Sequence, residues 1–70
     1  MKVQTKVYLK NGRVIEVLEN LTEEQYTQWS SRMSWVVQHN ANLDEKTIDK
    51  KVQLDIKGHD LAGIIVTCID

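Results

Sequence analysis

Apolar and polar residues alternate along the start of the chain. Val3, Thr5, Val7 and Leu9 fall on one side, and Lys2, Gln4, Lys6, Tyr8 and Lys10 on the other. A period of two is that of a strand with one face turned to a core. With Asn11-Gly12 between two such runs, residues 2–19 are predicted to form a β-hairpin with that dipeptide at its tip. A two-residue turn would set Val7 opposite Glu16 on the buried face. A three-residue loop with Gly12 in a left-handed bulge pairs Val7 with Ile15 and Thr5 with Val17, and sets Lys6 against Glu16 outside. The bulged register is the one expected.

The period then changes. Thr22 with Gln25 three residues later forms a capping box, Leu21 and Tyr26 are placed as a hydrophobic staple, and Glu23 and Glu24 suit the positive end of a helix. At 100° per residue Tyr26, Trp29, Met33, Val36 and Val37 make one apolar stripe, predicting a helix that ends around residues 40–42 and lies on a sheet. Residues 43–47 read as a polar connector. Alternation returns with Val52, Leu54 and Ile56 inward and Lys51, Gln53, Asp55 and Lys57 outward. Gly58-His59-Asp60 reads as a turn, and residues 61–69 as a fourth strand.

The fold expected is therefore α+β, a two-layer β-β-α-β-β arrangement. One four-stranded sheet, made of two antiparallel hairpins, carries one helix on one face. The last strand is apolar on both sides, with Ala62, Ile64, Val66 and Cys68 on one and Leu61, Ile65 and Ile69 on the other. That pattern argues for a central place in the sheet.

Seventy residues make a single domain, residues 1–70, and a chain this short hides only about 60% of its unfolded surface. Small domains of this size are commonly supported by a disulfide, a metal or a partner chain. Cys68 is the one cysteine, which excludes an internal disulfide and, with no signal peptide apparent, suggests a cytoplasmic setting. Cys68, His39 and His59 fall short of a four-ligand zinc set and have no recognisable spacing. Nine Lys and Arg against ten Asp and Glu give a net charge of −1, without the basic excess of a general nucleic-acid binder. No apolar run approaches the roughly 20 residues of a membrane span.

Catalytic chemistry finds little support. Cys68 with His59 and Asp60 has the residue types of a thiolate–imidazole couple. Yet eight or so strand residues at about 3.3 Å each hold them roughly 25–30 Å apart. Cys68 is expected as a small buried hydrophobe, and His59 and Asp60 as turn residues. Gly12 and Gly63 make no phosphate loop. Asn20-Leu21-Thr22 matches a glycosylation acceptor but reads more simply as a helix start. No enzyme activity and no cofactor are expected.

Two surfaces remain. Trp35 points away from the helix stripe, with Arg32 and His39 beside it, and such residues are enriched where proteins bind. The outer face of the sheet carries Tyr8, Val14, Ile65 and Ile69, an apolar set with nothing in the sequence to cover it. The reading that follows is a small non-enzymatic interaction module, partnered by a second copy of itself or by another protein. The alternative is a nucleic-acid-associated regulator using the basic hairpin surface of Lys6, Tyr8, Lys10 and Arg13.

Overall fold

The computed structural model describes residues 1–70. Strands β1 (Lys2–Leu9) and β2 (Val14–Asn20) are followed by helix α1 (Glu23–Gln38). Strands β3 (Leu43–Lys46) and β4 (Gln53–Ile56), a 3-10 turn (Gly58–Asp60) and strand β5 (Leu61–Cys68) complete the chain. The fold is a small α+β arrangement. It contains a three-stranded antiparallel sheet in the order β2-β1-β5 and a separate two-stranded ladder of β3 and β4.

The first hairpin takes the bulged register. Val7 pairs with Ile15, Thr5 with Val17 and Lys6 with Glu16, and Gly12 has φ 90°, a left-handed conformation open to glycine. Helix α1 starts on the capping box: the Gln25 N–H donates to Thr22 Oγ1, and the Thr22 N–H to Gln25 Oε1. Its end falls at Gln38, short of the sequence expectation. Asn40 turns left-handed at φ 49°, and the Asn40 and Ala41 N–H groups donate back to the carbonyls of Val37 and Val36 at 3.3 and 3.0 Å. This paired closure uses two of the last-turn carbonyls of the helix and directs the chain out of it.

Two expectations about sheet order are corrected. The segment Leu43–Lys46 is a strand rather than a polar connector: Leu43 is fully buried, Asp44 and Lys46 point out, and Thr47 is buried again. It takes β4 as its antiparallel partner, Leu43 opposite Ile56 and Glu45 opposite Leu54. Consequently β4 does not pair with β5, and no single four-stranded sheet forms. Strand β5 pairs with β1 alone and lies at an edge, not in the middle. The Gly58–Asp60 segment bridges the two ladders instead of closing a tight hairpin. The Gly58 N–H donates to Asn42 Oδ1 at 2.8 Å, and the Lys10 N–H to the Asp60 carbonyl at 2.9 Å.

The core lies between the three-stranded sheet and a second layer made by α1 and the β3–β4 hairpin. Val3, Val7 and Val17 from the sheet meet Trp29, Met33 and Val36 from the helix and Leu43, Leu54 and Ile56 from the hairpin. Leu21 closes one end of this cluster. Of the predicted helical stripe, Tyr26 is half-buried and Val37 exposed, because the helix leans toward β5 rather than sitting centred on the sheet. Val52, expected inward, is exposed at the end of the turn that precedes β4. A single polar contact crosses the centre of the core: the indole N–H of Trp29 donates to Thr5 Oγ1 at 2.8 Å.

Candidate interaction surfaces

The helix surface around Trp35 is built by spacing. Arg32, Trp35 and His39 lie three and four residues apart, so they stack along one side of α1. The Trp35 and His39 rings are 4.5 Å apart between centroids and inclined by 23°. The Arg32 guanidinium carbon lies 5.4 Å from the Trp35 ring centre, within cation–π range. His39 Nδ1 is 2.9 Å from the Trp35 carbonyl; because a carbonyl only accepts, the bond requires the Nδ1–H tautomer. Arg32 also pairs with Glu45 of β3. The cluster is thus folded on itself and tied to the neighbouring hairpin, leaving Trp35 46% exposed.

The outer face of the three-stranded sheet is on the opposite side of the molecule from α1. Pairing sets Val14, Tyr8 and Gly63 in one row, and Glu16, Lys6 and Ile65 in the next. Leu18, Gln4 and Thr67 make a third row. Ile69 follows, its N–H donating to the Lys2 carbonyl. Ile65 and Leu18 are 52% and 54% exposed, with Val14 and Ile69 close behind, while Tyr8 is half-buried. Lys6 Nζ lies 3.7 Å from Glu16 Oε1. Sequence reasoning left out Leu18, although its parity with Glu16 on β2 placed it outside.

The interaction candidates therefore divide into two groups that the fold does not bring together. Trp35, Arg32 and His39 lie on the helix layer, and Tyr8, Val14, Ile65 and Ile69 on the far side of the sheet. Of the basic hairpin set, Lys6 is engaged by Glu16 and Tyr8 is partly covered, whereas Lys10 and Arg13 are exposed at the hairpin tip.

Cys68 and His59 sit at opposite ends of β5 and do not meet. The expectation that Cys68 is buried is corrected: it is exposed, near the end of an edge strand with no neighbour on its far side. Its thiol donates to Asp70 Oδ1 at 3.1 Å, and Asp70 Oδ2 accepts from the Lys2 N–H at 2.8 Å. The Cys68 thiol first, and then the Lys2 N–H, hold the Asp70 carboxyl below the ordinary carboxylate range. His59 pairs only with its neighbour Asp60, both exposed. No group of three or more His, Cys, Asp or Glu side chains is arranged to hold a metal ion. The one depression, between Leu9, Asn11, Asp55–Lys57 and Asp60, is open and mixed in character. No helix is long and apolar enough to cross a membrane.

One polar feature escaped the sequence reading. Glu19 shares the inward parity of Ile15 and Val17 and is buried, its Oε2 accepting from the Asp49 N–H at 3.1 Å and its Oε1 without a partner. Asp49 organises the turn between β3 and β4. Its Oδ1 accepts from the Thr47 hydroxyl at 2.7 Å and the Lys51 N–H at 3.0 Å. These bonds, led by that from Thr47, hold its carboxyl below the ordinary range. The contact thereby fastens the second hairpin to β2.

These elements define a two-layer α+β domain of a three-stranded sheet under a helix and a hairpin. Compared with known proteins, the chain matches no family model, and comparison with curated proteins and with solved structures finds no significant similarity.

Proposed function

We propose that the protein is a non-enzymatic interaction module that works by associating with a second copy of itself through the β5 side of its three-stranded sheet. The observation that carries this reading is the state of β5. It is an eight-residue edge strand, LAGIIVTC, with no charged side chain, and Ile65 and the following Ile69 stand exposed beside it. Exposed apolar residues grouped along an edge mark an interface more often than a bare surface. The Trp35 cluster is the weaker candidate, since its cation is already paired with Glu45 and its ring is stacked on His39. Nor does an observation favour the nucleic-acid reading, in which Lys6 would have to leave Glu16.

Sedimentation equilibrium over a micromolar dilution series tests the proposal. Ile65→Lys should weaken association by about tenfold or more, the equivalent of about 1.4 kcal/mol, while Trp35→Ala should leave it unchanged. Equal association in the parent and Ile65→Lys chains would refute the assignment to β5.

A further inference from the structure

We infer that two copies join by antiparallel pairing of their β5 edges across a two-fold axis, making one continuous sheet with three strands from each chain. The inference rests on the self-association reading and specifies its geometry. It begins with the directions of the backbone groups. The Ile69 N–H donates to the Lys2 carbonyl at 3.0 Å. Along an antiparallel strand these groups alternate sides. Gly63, Ile65 and Thr67 therefore address β1, opposite Tyr8, Lys6 and Gln4. Ile64, Val66 and Cys68 address the open edge, and no backbone hydrogen bond outside the regular elements reaches them. Ala62 falls where the register shifts between Tyr8 and Leu9, so the regular open edge begins at Ile64.

Such an edge accepts an extended strand, and its side chains select which one. Natural edges are usually guarded by charge, by proline or by inward twist. The other edge of this sheet follows that rule, since β2 carries the exposed Glu16. β5 has neither charge nor proline over its whole length. Pairing β5 with β2 of another copy would set a charged strand against an uncharged one and leave both outer edges free to add further copies without closing. Pairing β5 with β5 matches apolar to apolar and closes after two copies.

Symmetry then restricts the register. Side chains of one face must meet the same face, because a slip of one residue turns the whole set over. Setting the axis at Val66 engages all three open-edge residues. Val66 faces its own copy, and Ile64 faces Cys68 of the partner subunit. On the outer face Ile65 lies beside Thr67 of the partner subunit. Gly63, with nothing within 4 Å of where a Cβ would stand, leaves room for Ile69 of the partner subunit.

Amide hydrogen exchange resolved by NMR tests this without any substitution. As concentration rises through the dimerisation range, the Ile64, Val66 and Cys68 amides should slow by at least about tenfold. The Glu16 and Leu18 amides, on the open side of β2, should not change. A dimeric sample in which the three β5 amides stay fast overturns the edge geometry while leaving self-association intact. A chain that is monomeric throughout overturns both. Val66→Pro adds a second reading, since it removes an N–H that β1 does not use. A folded Val66→Pro chain should be monomeric, and a folded dimer would again refute edge pairing.

Discussion

The hydrogen bond from Trp29 to Thr5 ties the helix to the central strand, and its contribution can be isolated. Trp29 is 4% exposed and Thr5 1% exposed, so neither group has water to fall back on. Replacing Thr5→Val keeps the shape but leaves the indole N–H unpaired, at a cost of about 1–3 kcal/mol. A methyl in place of the hydroxyl returns roughly 0.8 kcal/mol through apolar burial. The net expected loss is roughly 0.2–2 kcal/mol, which for a domain of this size lowers Tm by at most about 16 °C. Trp29→Phe removes the donor and part of the ring, for about 2–4 kcal/mol. In the double variant the orphaned partner no longer exists, so the two losses should fall short of adding by about 1 kcal/mol. Urea denaturation followed by far-ultraviolet circular dichroism measures all four corners of the cycle. Additivity within about 0.3 kcal/mol would mean that the bond at 2.8 Å does not couple helix and sheet.

Other expectations follow from the close contacts and the carboxylates. Gly58→Ala should destabilise by about 2 kcal/mol or more, because its Cβ would collide with the Asn40 carbonyl and stand 2.9 Å from that of Ala41. Gly63→Ala, with open space around it, should change thermal stability of the monomer little. A thermal melt comparing the two variants checks the contrast. The Asp49 carboxyl is held below the ordinary range by Thr47 and the Lys51 N–H, so its stabilising contribution is complete at neutral pH. That contribution is lost as pH falls below about 4 and through the depressed folded value. An acid titration of stability should accordingly be shallower for Asp49→Asn than for the parent chain, and equal slopes would contradict the turn network. Glu19→Gln keeps an acceptor for the Asp49 N–H but sets an amide NH2 where the unpartnered oxygen stands. Relief of the buried charge and the unpaired donor oppose each other, so stability in urea denaturation should change by less than about 1 kcal/mol, and a larger loss would contradict the placement of Glu19.

Local structure was legible in the sequence because it is set by neighbours. The bulge at Gly12 follows from the cost of placing Glu16 opposite Val7. The start of α1 follows from Thr22 and Gln25, whose side chains satisfy backbone groups three residues away. What the sequence did not disclose were choices between partners far apart in the chain. β4 can satisfy its backbone against either flanking segment, and the short run Leu43–Lys46 alternates over too few residues to stand out from a polar connector. Once β4 is taken by β3, β5 becomes an edge and Cys68 moves from an expected core position to the surface. Glu19 was legible in principle, since it continues the inward alternation of Ile15 and Val17. A charged residue in that place draws the eye outward. The candidate surfaces fared similarly: Trp35, Arg32 and His39 cluster as helical spacing requires, whereas their separation from the β5 face depends on the layer order.

Self-association requires that β5 be covered in solution. Light scattering of the unmodified protein across a dilution series, reading absolute mass, tests that most directly. The expected result is a mass that rises from 8.1 kDa toward twice that value within the micromolar range. A mass that stays at 8.1 kDa at every concentration would contradict it.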